Sequence, residues 1–136
     1  MGSAGVGEAR VPRPPQPVAG RAPRPLARIT AIAPELMFGS RIAETLGAAG
    51  HDVAISPAIA EARELERADV LIADLDCEPA DALVGLGMPV LGFYSHTDVD
   101  TRKTAEAAGV DIVVPRSRMV REMPELVERL LAEPRP

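Results

Sequence analysis

The sequence has no tryptophan, one tyrosine and two phenylalanines. Phe38, Phe93 and Tyr94 are therefore its only aromatic residues, and any core must be aliphatic, built from Leu, Ile, Val and Ala. A single cysteine, Cys77, excludes an internal disulfide and fits a reducing cytoplasm. No run approaches the roughly 18 to 20 continuous apolar residues of a membrane helix. The start of the chain lacks the apolar block of a secretory signal. There is no Gly-rich phosphate loop, no serine nucleophile elbow and no Cys/His zinc spacing. What remains, 136 residues, suits one domain with a real core. The chain is expected to be soluble and cytoplasmic.

Charge and composition divide the chain. Residues 1–26 hold Arg10, Arg13, Arg21 and Arg24 against Glu8, so the formal −5 of the whole leaves −8 on residues 27–136. An acidic domain repels phosphate backbones, which argues against nucleic acid as a partner. Residues 1–26 are rich in Pro, Gly, Ala and Arg and have too few large apolar groups to offset their ordering entropy. They are expected to be a disordered or polyproline-like extension, preceding a domain over 27–133. Arg13-Pro-Pro-Gln-Pro17 carries a PxxP spacing that would suit an aromatic groove; the plainer reading is a tail with no function of its own.

From Arg28 onward strands and helices alternate. Arg28–Ile32 reads as the first strand. Pro34-Glu35 opens a helix whose Phe38, Ile42, Leu46 and Ala49 share one stripe, and Gly50 stops it. Asp52–Ser56 is the second strand, followed by a helix over Pro57 to Arg67 with Ile59, Ala62 and Leu65 as its apolar set. Val70 to Ala73 is a continuous apolar strand ending at Asp74. A short helix over Pro79 to Leu86 leads to a fourth strand, Pro89–Tyr94. Thr97 or Asp98 caps a helix that runs to about Ala108 and stops at Gly109. Asp111–Pro115 is the fifth strand, and a last helix starts near Pro124, presenting Leu126, Val127, Leu130 and Leu131 to the core. Apolar strands joined by helices imply an α/β fold, a parallel sheet with right-handed crossovers.

The segment Asp69-Val-Leu-Ile-Ala-Asp-Leu-Asp76 delivers an acidic side chain to the carboxyl edge of the sheet, where open α/β folds bind their ligands. With "MPVLGFYSH" and "DTRKTAEAAGVDIVVPR", it makes the chain resemble the receiver domain of bacterial two-component response regulators over roughly residues 27–132. The resemblance implies a doubly wound five-stranded sheet of order 2-1-3-4-5 with helices on both faces. It also implies a set of functional positions. An Asp after the third strand accepts a phosphoryl group, and two acids after the first strand hold Mg²⁺. A hydroxyl after the fourth strand and a Lys after the fifth hold the phosphoryl oxygens. A metal and an ammonium are needed there because a carboxylate attacking a phospho-donor builds up negative charge.

Carried over by position, Asp74 is the acceptor. The acidic pair falls on Ala33 and Pro34, which have no side-chain oxygen, and Glu35 comes one residue late. Asp76 matches a position whose carbonyl binds the metal, so Asp74, Asp76 and Glu35 are the candidate metal ligands. The hydroxyl position falls on Tyr94, with Ser95 next to it. The Lys position is Arg116, a broader planar cation. The pattern is that of a degenerate receiver, for which no cofactor is expected. The plainer reading of Asp74 is a strand-end carboxylate paired with Arg116.

Other groupings have ordinary explanations beside the chemical one. His96, Asp98 and Asp100 could be metal ligands or the charged start of a helix. His51, between helix and strand, reads as a surface residue. Cys77 stands beside two acids, which raises its thiol pKa and argues against a catalytic thiolate. Phe93 and Tyr94 could form a partner-sensing switch, with burial the simpler account of Phe93. Arg116, Arg118 and Arg121, with Met119, Val120 and Met123 among them, form either an exposed docking loop or a solvated loop that tucks Val120 inward. Three functional readings follow. The first is a stand-alone receiver-like signalling protein, not an enzyme, acting on a kinase or target protein through its fourth helix, fifth strand and fifth helix, a face that could also form a homodimer. The second is a working phosphoacceptor using Asp74 and Mg²⁺. The third is a module for a nucleotide or cobalamin-like ligand.

Overall fold

A computed structural model describes residues 27–63, 65, 67–95 and 99–133. Five strands alternate with five helices among them: β1 (Arg28–Ile32), α1 (Leu36–Ala48), β2 (Asp52–Ser56), α2 (Ile59–Ala62), β3 (Val70–Asp74), α3 (Ala80–Val84), β4 (Val90–Tyr94), α4 (Val99–Ala108), β5 (Ile112–Pro115) and α5 (Arg116–Ala132). The strands form one parallel sheet in the order β2-β1-β3-β4-β5. This is the doubly wound arrangement that the alternation of elements predicts.

Each central strand is buried on both faces, so its side chains divide between two cores. Ile29, Ala31, Val70, Ile72, Leu91 and Phe93 join Phe38, Ile42 and Leu46 of α1 and Met119, Met123, Leu126, Val127 and Leu130 of α5. Ile32, Leu71, Ala73 and Val90 pack on the other side with Ala62, Leu83 and Ala105 from α2, α3 and α4. Two carboxylates pin the strand starts. Asp69 accepts the Arg28 N–H at 2.9 Å and Asp111 accepts the Val90 N–H at 2.8 Å. Gly50 and Gly109 end α1 and α4 with φ of 98° and 102°. In each case the following amide closes back five residues, His51 N–H to Leu46 O and Val110 N–H to Ala105 O, a turn that glycine makes without side-chain strain.

Several elements differ from the sequence expectation. The helix predicted over Pro57 to Arg67 is a single turn, because only Ala62 of α2 is buried and Leu65 stays exposed. The last helix starts at Arg116, not near Pro124. Met119 and Met123, spaced four apart, extend the stripe of Leu126, Val127 and Leu130, and both are fully buried. The segment Ser117 to Met123 is thus helix, with neither an exposed loop nor sticky methionines. Pro124 leaves a kink at Glu122 (φ −123°, ψ 17°), since proline cannot donate to the preceding turn. Leu131 points outward and is 38% exposed. His51 is buried rather than on the surface. The expectations for residues 1–26, for the cap at Thr97 or Asp98, and for His96 and Asp98 as ligands lie outside the described residues.

Candidate functional site

β3 ends on Asp74, which is buried and stands at the carboxyl edge of the sheet. The chain turns sharply there, with the Cys77 and Glu78 amides donating to the Asp74 carbonyl at 3.2 and 3.1 Å. The same turn folds donors onto the side chain. The Asp76 amide donates to Asp74 Oδ1 at 2.9 Å, and the Cys77 thiol donates to Oδ2 at 3.5 Å. Burial of a carboxylate is tolerable when both oxygens accept hydrogen bonds. Partial desolvation of the sulfur first, and the neighbouring Asp74 charge second, push the Cys77 thiol pKa above its ordinary value. Cys77 is accordingly held as a thiol although the residue is exposed.

Asp76 turns the other way. Its Oδ2 accepts the Ser95 amide at 2.7 Å, tying the turn after β3 to the end of β4. Ser95 therefore enters the site through its backbone. Tyr94 is the buried last residue of β4.

Arg116, the first residue of α5, does not pair with Asp74. Its guanidinium forms an ion pair with Glu35 and lies over the Phe38 ring, 4.1 Å from the centroid. Phe38 in turn packs on Phe93 at 4.9 Å with the rings tilted by 60°. The cation thus caps an aromatic pair that belongs to the core, a favourable placement for a delocalised guanidinium. Sequence reasoning missed Phe38 in this role. The available signal was its spacing: Glu35 and Phe38, three apart at the start of α1, present a carboxylate and a ring to one side of the helix.

These residues do not fit the divalent cation that the fold family implies. Ala33 and Pro34 offer no side-chain oxygen, Glu35 is engaged by Arg116, and one Asp76 oxygen is engaged by Ser95. Among the described residues, no three His, Cys, Asp or Glu side chains are grouped to hold a metal. Mg²⁺ is usually held by one or two carboxylates with water completing a near-octahedral shell, and the positions of the acidic pair that would supply them are here Ala33 and Pro34.

With this geometry in view, comparison with solved structures is informative. The receiver domain of HemR from Leptospira biflexa, in its non-phosphorylated form, matches with a TM-score of 0.68 at 22% identity, covering 83% of this chain and 98% of that one. A response regulator from Thermotoga maritima matches with a TM-score of 0.69 at 14% identity, over 81% and 99% of the two chains. NtrX from Brucella abortus, solved in complex with ADP, matches at 0.67 and 17% identity over 77% of this chain, which spans only 27% of that protein. The fold is that of a receiver domain. At these identities the likeness is one of architecture. Neither a family model nor a curated protein matches the sequence.

Proposed function

We propose that this chain is a receiver-type signalling module that acts through protein–protein contact and does not use Asp74 as an efficient phosphoryl acceptor. The observation that carries the reading is the engagement of Arg116 with Glu35 and Phe38. At the position where the receiver pattern calls for a cation to meet phosphoryl oxygens, the cation is committed elsewhere. Asp74 stands without a metal-binding pair in front of it, and each of its oxygens already accepts one hydrogen bond, from the Asp76 amide and the Cys77 thiol. Loss of metal assistance removes several kcal/mol of stabilisation from such a transfer.

The surface we assign to a signalling kinase or target protein is the face of α4, β5 and α5. It is rich in exposed charge of both signs, including Arg102, Lys103, Glu106, Arg121 and Glu125, and Val99 at its upper corner is 60% exposed. Polar rims around a small apolar contact suit transient recognition.

The test is incubation of the full chain with Mg²⁺ and acetyl phosphate, followed by intact-mass measurement. The expected result is an unchanged mass. Stoichiometric addition of one phosphoryl group, lost in Asp74→Asn, would establish the phosphoacceptor reading instead, which is supported by the placement of Asp74 at the strand end. Stabilisation against heating by a nucleotide or a corrinoid would favour the small-ligand reading.

A further inference from the structure

Leu36 and Met37 open α1 and are 81% and 80% exposed, the most exposed large apolar side chains among the described residues. At the far end of the same helix the open positions are small, Gly47 and Ala48. A methyl group added to Gly47 would meet nothing within 4 Å, so nothing inside the chain calls for a residue that weakens a helix relative to alanine. Between these ends, Arg41 and Glu44 are both exposed. Although three residues apart, neither forms an ion pair among the described residues.

At 3.6 residues per turn, Met37, Arg41, Glu44 and Ala48 fall within about 60° of one another on the outer side of α1, with Leu36 and Gly47 on the adjoining row. This pattern complements itself when reversed. Laid antiparallel on a second copy about a two-fold axis through the middle of the helix, Arg41 faces Glu44 of the second copy. Met37 then faces its Ala48, and Leu36 lies beside its Gly47, about 3 Å off level. Every contact is made twice, which is what an isologous interface requires. Large meets small and positive meets negative.

We propose that the chain self-associates as a two-fold dimer through antiparallel packing of α1. A partner of unrelated sequence has no reason to match both the charge order and the size order of this one helix, whereas a second copy matches them by symmetry. A helix of 13 residues gives an interface at the low end of specific sizes, so the association is weak and follows concentration. The surface is separate from the α4, β5 and α5 face, and each assignment stands or falls alone.

Sedimentation equilibrium of the full chain, from roughly 1 µM to 1 mM, is expected to show monomer and dimer in exchange. Arg41→Glu and Glu44→Arg should each raise the dissociation constant about tenfold or more by setting like charges face to face. Combining the two reversals in one chain should restore dimerisation. Gly47→Ala should raise the melting temperature while weakening the dimer. A monomer at every concentration, a dissociation constant indifferent to the single reversals, or a combined variant no better than either single would each overturn the proposal. Circular dichroism of every variant verifies that the fold is kept.

Discussion

Buried polar side chains have two fates in this molecule. Asp74 meets donors on both oxygens, whereas neither ring nitrogen of His51 has a hydrogen-bond partner among the described residues. A buried polar group left without a hydrogen bond costs about 1 to 3 kcal/mol. His51→Leu, which keeps the volume and drops the polar atoms, is therefore expected to stabilise the protein by about 1 kcal/mol in urea denaturation; a loss of stability would show that the ring is satisfied by ordered water. The sequence could not disclose this, because a histidine after a helix-ending glycine is more often solvated than enclosed. The acidic surroundings of Cys77 were legible, since Asp74, Asp76 and Glu78 are its near neighbours in the chain. The company of Arg116 was not, because a guanidinium with a carboxylate and a ring both in reach chooses between them on geometry that linear spacing leaves open.

Strand positions were readable to within a residue because each is a short run of strand-favouring residues set between helical patterns, with Gly or Pro beside β1, β2, β4 and β5. Helices that lean on tertiary contacts were harder. In α5, Pro124 resembles a helix start, and only the burial of Met119 and Met123 reveals that the helix is already under way. In α2 the apolar set is too sparse to hold more than one turn against the sheet. The turn after β3 depends on a close approach of a different kind. A Cβ placed on Gly92 of β4 would lie 2.8 Å from Leu75 Cδ1 and 2.9 Å from its Cγ. Gly92→Ala should accordingly cost about 1 to 2 kcal/mol by thermal denaturation, since overpacking forces neighbours off their rotamers. Adding Leu75→Ala should recover part of that loss, because the two positions interact directly. Strict additivity of the two changes would contradict the contact.

For the whole molecule, charge and topology point the same way. Residues 27–136 carry a formal −8, so the full chain is expected to leave duplex DNA unshifted in a low-salt gel assay; a retained complex that dissolves with added salt would contradict this. Topology brings α1 and α5 onto one face of the sheet, and Arg116 fastens their starts together through Glu35 and Phe38. That cation is part of the polypeptide, where a metal ion would come and go. If Asp74 takes no phosphoryl group, as proposed, the end of the sheet beside it would keep one form whether magnesium is scarce or plentiful. On the reading proposed above, what such a module transmits is its own abundance, set by synthesis and breakdown rather than by a chemical mark.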